Sequence, residues 1–129
     1  MINQQIIAIK KIEDLKIIST METKIIKTVK EWLPELAESE HQNTEYVLLK
    51  NLADYCRHHF AQGEKEKANR VIKIISLMYN SGNLHDRNAI ENEFLGVMAL
   101  DETPSSLKNH MRVFPENLKT AYLKTILEN

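Results

Sequence analysis

The chain has 129 residues, the size of one ordinary domain. Its 17 basic and 18 acidic side chains give a net charge of −1, so the basic excess on which most nucleic-acid binders depend is missing. With only three glycines and three prolines, the sequence disfavours an all-β fold, which needs a turn about every 8–12 residues. An apolar content of 43% is enough for a core and excludes general disorder. These values together favour long helices.

The only cysteine, Cys56, excludes an intramolecular disulfide and favours a reducing compartment. The first residues make a poor signal peptide, because Gln4, Gln5, Lys10 and Lys11 interrupt their apolar run. No stretch approaches the ~18 uncharged apolar residues of a membrane span. The sequence therefore predicts a cytoplasmic protein without a membrane-spanning segment.

Residues 1–22 are predicted to be a separate N-terminal segment of uncertain role, helical over 3–18. Met21 offers an alternative start. Residues 23–129 are predicted to be one helical domain. The isoleucines near the N-terminus follow a helical spacing, although isoleucine also suits strands: Ile2, Ile6 and Ile9.

From Thr23 onward, apolar residues recur at steps of three and four, which predicts an amphipathic helix. They are Ile25, Ile26, Val29, Trp32, Leu33 and Leu36. Pro34 is expected to kink this helix or to end it near Leu33. Residues 37–43 are polar and are predicted to form a linker.

Thr44 is a good N-cap for the next helix, which we expect to end at Gly63 in a left-handed conformation. A further helix over about 64–79 is apolar over more than half of its circumference and should be central. Gly82 is expected to end it. Asp86 is then predicted to cap a third helix, in which Gly96 indicates a close crossing with another helix.

Pro104 breaks the chain, and Ser105 or Ser106 is predicted to cap a short helix. Pro115 begins the last helix. Because the connections are short, successive helices should pack as antiparallel neighbours. We therefore predict an all-α fold of five to seven helices, arranged either as an irregular HEAT-like array of helical hairpins or as a compact bundle.

The chain from Tyr46 onward resembles a family of small bacterial all-helical proteins that is described as a domain of unknown function. With the helix of Trp32 and Leu33, the resemblance covers roughly residues 24–127. It implies a helical fold and carries over no catalytic residues. Such proteins are similar in style to immunity proteins, which neutralise toxins in bacterial competition. The segments that carry the resemblance are 46–55, 63–67, 87–95 and 114–118.

Cys56 and His59 have the i, i+3 spacing of two metal ligands, but no further ligand pair supports them. Neighbouring side chains on a helix diverge, so His58 and His59 are not expected to share an ion. Cys56 lies on the apolar face, where a thiol is an unreactive hydrophobe, which disfavours a Cys–His nucleophile. We expect these residues to be structural and His58 to pair with Asp54.

Charge is unevenly distributed. Residues 64–73 carry four basic and two acidic side chains, whereas residues 84–102 carry one basic and five acidic side chains. One interpretation of the acidic segment is a partner-binding cluster. The alternative is a structural cluster that stabilises the loop before the helix, with an Arg87–Glu91 ion pair. The cluster consists of Asp86, Arg87, Asn88, Glu91 and Glu93.

Two other surfaces have a structural and a functional interpretation. The tryptophan and the tyrosines are expected to be core, with an exposed hot spot as the alternative: Trp32, Tyr46, Tyr55, Tyr79 and Tyr122. The basic stretch is expected to be a solvated face, with a weaker nucleic-acid role as the alternative: Lys65, Lys67, Arg70 and Lys73.

The sequence thus favours a non-enzymatic protein-interaction module whose partner is another protein, and immunity-type toxin neutralisation is the sharper form of this hypothesis. No cofactor is predicted. The alternative is a small helical hydrolase or metal-dependent enzyme that uses His85, Asp86 and Glu93.

Overall fold

The computed structural model describes residues 23–37 and 44–128. Within these ranges the protein has seven helices and no strand, which confirms the all-α prediction. The helix predicted over 3–18 lies outside the described residues. In chain order the helices are α1 Lys24–Trp32, α2 Pro34–Ala37, α3 Glu45–Ala61, α4 Lys65–Ser81, the composite α5, α6 Pro104–Val113 and α7 Glu116–Glu128. The composite α5 joins the segments Leu84–Ala89, Ile90–Leu95, Gly96–Met98 and Ala99–Asp101.

The first helix ends just before Pro34, as the position of this proline predicts. The Thr23 hydroxyl caps α1 by accepting the backbone N–H of Ile26 at 3.3 Å. The helix ends at Trp32 with Leu33 as its C-cap, and Pro34 is the first residue of the short α2. Proline suits this first-turn position because it has no N–H to leave unpaired.

Helices α3 and α4 form a hairpin in the middle of the molecule. The Thr44 hydroxyl accepts the N–H of Val47 at 3.2 Å, which confirms the predicted N-cap. Gly63 has a φ of 78°, as expected for the glycine after α3. The buried Cys56 thiol lies 3.7 Å from the carbonyl oxygen of Ala68, so the two helices pack closely beside their turn.

Of two local predictions around the start of α5, one is wrong and one is confirmed. Asn83, not Asp86, is the N-cap: its side chain accepts the N–H of Asp86 at 2.9 Å, and Asp86 accepts the N–H of Asn83 at 3.4 Å. Gly82 follows the end of α4 as predicted, with a φ of −85°. Its role is spatial, because an added Cβ would lie 2.7 Å from Asp86 Cβ and from the Met78 carbonyl oxygen.

The middle of α5, Ile90–Leu95, is a π-helix that buries Ile90, Phe94 and Leu95. Among the described residues, an added Cβ at Gly96 would meet only the Glu91 carbonyl oxygen of the same helix, at 3.4 Å. The predicted close crossing at Gly96 is therefore wrong.

The cap of α6 also differs from the prediction. Thr103 is the N-cap, Pro104 is the first helical residue, and Ser106 completes a capping box. Neither Ser105 nor Ser106 is the cap. Proline at this position pushes the preceding residue into the extended conformation, and Thr103 has a φ of −125° and a ψ of 165°.

The helices share one hydrophobic core, as expected for a compact bundle. Trp32 and Tyr46 are 57% and 50% exposed, so the prediction that they belong to the core is wrong, whereas Tyr122 is fully buried. None of the described helices is long and apolar enough to cross a membrane. The largest fully buried aliphatic side chains are Ile25, Leu33, Leu48, Leu49, Leu52, Ile72, Ile75, Ile90, Leu95 and Met98.

Candidate functional site

The residues of the predicted partner-binding cluster make separate contacts. Asp86 is buried in the capping box of α5. Arg87 Nε donates to the carbonyl oxygen of Tyr79 at 3.2 Å, and its guanidinium lies 5.9 Å from the centre of that ring. Arg87 is therefore held by α4 and not by the expected ion pair with Glu91.

The other three members differ in their surroundings. Asn88 is exposed, and Glu93 is half-buried. Glu91 accepts a hydrogen bond from the Tyr79 hydroxyl and lies 3.9 Å from the Lys124 ammonium. Much of the negative charge of this segment is thus engaged in contacts within the protein. The partner-binding role of the segment stays a prediction.

Two of the residues predicted for the enzyme alternative, His85 and Asp86, lie close to a third possible ligand. This ligand is Glu45 and not the predicted Glu93. His85 Nε2 lies 2.9 Å from Glu45 Oε1. One ligand atom from each of Glu45, His85 and Asp86 lies within 4.8 Å of the others, and Glu93 is not in this group. Forty positions separate Glu45 from His85, so no local pattern could have joined them.

Cys56 and His59 do not converge as metal ligands. The Cys56 thiol faces the backbone of α4, and burial raises its pKa. His59 Nδ1 instead lies 2.5 Å from Glu64. Asp54, the expected partner of His58, pairs with Arg57 at 2.9 Å.

The most elaborate polar cluster was missed by the sequence analysis. Glu102 lies in the extended connection between α5 and α6, and its side chain is only 7% exposed. Its carboxylate accepts hydrogen bonds from the hydroxyls of Tyr122 and Ser106 and lies 2.8 Å from His110 Nδ1. We call these four residues the Glu102 network. Burial raises the pKa of Tyr122, and the hydrogen bond to Glu102 raises it further.

The Glu102 network has fixed one tautomer of His110. A carboxylate only accepts hydrogen bonds, so Nδ1 of His110 is the protonated nitrogen. No hydrogen bond to Nε2 is formed within residues 23–37 and 44–128. This arrangement, with Nδ1 held by a carboxylate and Nε2 available, is the one that histidines use for binding and proton transfer.

A pocket of about 470 Å³ lies above the Glu102 network. Ser106 and His110 line it from α6, and Phe60 and Met98 supply apolar walls. Lys65 lines it at the start of α4. Pockets of this size, apolar with a few convergent polar groups, are typical of small-molecule sites.

Arg57 adds a second cation to the pocket. Its guanidinium pairs with Asp54 at 2.9 Å and with Asp101, which also lines the pocket. The hydrogen bond to Asp101 raises the pKa of Arg57. Among the described residues, its Nε is the one buried side-chain nitrogen or oxygen without a hydrogen-bond partner. Such a group is rare in proteins and often marks a place for water or a ligand.

One signal in the sequence could have found the Glu102 network. Glu102, Ser106 and His110 are spaced four residues apart, which places side chains on one helical face. Pro104 interrupts this spacing, so it does not read as a continuous helix. Tyr122, the fourth member, carries no such signal, because it approaches from the distant helix α7.

Most of the basic residues considered for a weaker nucleic-acid role have other contacts within the protein. Arg70 forms an ion pair with Glu35 of α2, and Lys67 lies 3.6 Å from Glu64. Lys65 belongs to the pocket.

A family model described as a domain of unknown function (DUF7674) matches residues 26–128. No curated protein and no solved structure matches the chain.

Proposed function

The chain belongs to the DUF7674 family, and we propose that it binds a small organic anion, bearing a carboxylate or phosphate group, in the pocket above the Glu102 network. One observation supports this most directly. The pocket places Arg57, Lys65 and the imidazole of His110 around one space of ligand size.

The charge of the pocket favours an anion. Arg57 and Lys65 are cationic, and Asp101 is the one acidic residue among the described residues that line the pocket. In the Arg57–Asp101 ion pair the aspartate is exposed, so the pair contributes no more than about 1 kcal/mol to stability. A ligand anion can therefore replace Asp101 beside the guanidinium. Arginine binds carboxylate and phosphate oxygens through two parallel hydrogen bonds, which makes it the natural anchor.

The Glu102 network prepares His110 for this role. Holding Nδ1 at 2.8 Å fixes the ring before the ligand arrives, so little side-chain entropy is lost on binding. The imidazole thereby adds a further hydrogen-bonding group to the lining of the pocket.

The geometry favours binding over nucleophilic catalysis. Ser106 is the hydroxyl closest in sequence to His110 on α6, but it donates its proton to Glu102 and not to the imidazole. A serine nucleophile needs a base that accepts its proton, and the Glu102 carboxylate already accepts hydrogen bonds from three donors.

The test is titration calorimetry with inorganic phosphate, acetate and citrate, and with glucose as the neutral control. At least one anion should bind saturably. Lys65→Gln should weaken it by about tenfold, which corresponds to about 1.4 kcal/mol. Lys67→Gln is the matched control, because Lys67 does not line this pocket. Equal losses in both variants, or no saturable binding of any anion, would refute the proposal.

A second candidate is the protein-interaction module, and exposed Trp32 favours it. Trp32 is 57% exposed beside a shallow groove that Arg70 and Lys73 also line. Tryptophan and arginine are the residue types most enriched at binding hot spots. Immunity-type toxin neutralisation is the sharper form of this candidate.

Affinity purification with the full chain as bait tests the second candidate. A partner that is captured by the wild type and lost with Trp32→Ala, but retained with Tyr46→Ala, supports it. Suppression of a captured toxin's activity would support the immunity form. Capture that is indifferent to Trp32 would count against this surface.

A further inference from the structure

We propose that Glu45, His85 and Asp86 form a binding site for a divalent transition-metal ion, with Zn²⁺ as the best-fitting ion. One oxygen or nitrogen from each side chain lies within 4.8 Å of the others. Helix α3 supplies Glu45 at its first residue, and the first turn of α5 supplies the other two. The site is separate from the anion pocket and does not depend on the proposed function.

Burial of both carboxylates is the first observation that points to a cation. Glu45 and Asp86 are only 7% and 5% exposed. Two carboxylates that approach each other away from water repel strongly unless a positive charge lies between them. Of the residues in this cluster, only His85 can provide one, and its side chain is 58% exposed.

Both carboxylates have a helix position that suits a metal ligand. Both lie in the first turn of a helix, where the unpaired backbone N–H groups favour negative charge. Metal ligands must be deprotonated, so this placement prepares them for coordination.

The orientation of Asp86 is fixed from outside the site. Its Oδ2 accepts the N–H of Asn83 at 3.4 Å, which leaves Oδ1 for a further bond. Gly82 packs against the same aspartate, because any Cβ there would lie 2.7 Å from Asp86 Cβ and 3.2 Å from its Oδ2. Supporting contacts of this kind are what orient ligands in metal sites.

The donor set and spacing suit zinc. Ligands at about 2.0–2.1 Å from a tetrahedral Zn²⁺ are roughly 3.3 Å apart. His85 Nε2 and Glu45 Oε1, now 2.9 Å apart, need only a small side-chain rotation to reach that separation. Three protein ligands leave a fourth position open, and the exposed His85 gives the ion a path from solvent.

The experiment is calorimetric titration of the full chain with Zn²⁺ after treatment with a chelator. We expect one ion per chain and a higher Tm with bound Zn²⁺. His85→Gln should weaken Zn²⁺ binding by more than about tenfold. His58→Gln is the matched control, since His58 is also exposed and lies on α3 outside the site.

A second measurement distinguishes loss of metal binding from misfolding of a variant. Co²⁺ added to the wild type should give the visible absorption of a nitrogen- and oxygen-ligated ion, and Glu45→Gln should abolish it while the helical circular dichroism is unchanged. Absence of saturable Zn²⁺ binding to the wild type would overturn the proposal. Equal losses in His85→Gln and His58→Gln would overturn it too. In either case the anion pocket remains testable by Lys65→Gln.

Discussion

The hydroxyl of Tyr122 allows a quantitative test of the Glu102 network. Tyr122→Phe removes one hydrogen-bond donor and keeps the ring. That ring is fully buried, with its centre 5.1 Å from Phe114 and 6.3 Å from His110. Phenylalanine fills the same space, so no large cavity is created and the lost hydrogen bond to Glu102 dominates the effect.

The expected loss follows from the charge of the acceptor. A hydrogen bond to a charged group contributes about 1.5–3 kcal/mol. After the substitution Glu102 keeps Ser106 and His110 as donors, which places the loss at the lower end, about 1.5–2 kcal/mol. For a chain of this size 1 kcal/mol corresponds to roughly 4 °C in Tm, so Tm should fall by about 6–8 °C.

Urea and thermal unfolding followed by far-ultraviolet circular dichroism measure this loss directly. Tyr46→Phe is the matched control, because Tyr46 is half-exposed and its substitution should change the free energy of unfolding by less than about 0.5 kcal/mol. The reasoning is refuted if Tyr122→Phe is no more destabilising than Tyr46→Phe.

Three further predictions concern single residues. Burial, and then the hydrogen bond to Glu91, raise the pKa of Tyr79 to about 12, above the ordinary value near 10. The native state therefore holds this proton more tightly, so stability should fall as the pH rises from about 10 to about 12, and Tyr79→Phe should reduce that fall in urea titrations. Burial raises the pKa of Cys56, so a chromogenic disulfide reagent should label it only at the rate of unfolding; rapid labelling of the native protein would contradict this. Gly82→Ala places a Cβ 2.7 Å from two atoms and should cost more than about 1 kcal/mol in urea unfolding, whereas Gly96→Ala meets only an ordinary contact and should be tolerated.

Much of the fold was predictable because it depends on nearby residues. The N-cap at Thr44 and the left-handed glycine at Gly63 follow from the physics of helix ends, which involves positions three or four apart. The burial of α4 follows from its broad apolar face. Even the wrong caps, Asp86 and Ser106, are only displaced, since each is the third helical residue of a capping box.

The aromatic residues mark the limit of such reasoning. Trp32 and Tyr122 both lie at helical spacings, yet one is 57% exposed and the other is fully buried. Periodicity identifies a face, but the length and position of the neighbouring helices decide which part of that face is covered.

Over residues 23–37 and 44–128, then, the sequence by itself determined which segments are helical, where most of them begin and end, and that they bury one apolar core. Only the tertiary structure decided which polar groups meet. Glu45 reaches His85 across 40 positions, Tyr122 reaches Glu102 across 20, and Arg57 reaches Asp101 across 44. The physical reason is that helix formation is governed by bonds between near neighbours, whereas the packing of helices brings together side chains that no local pattern relates.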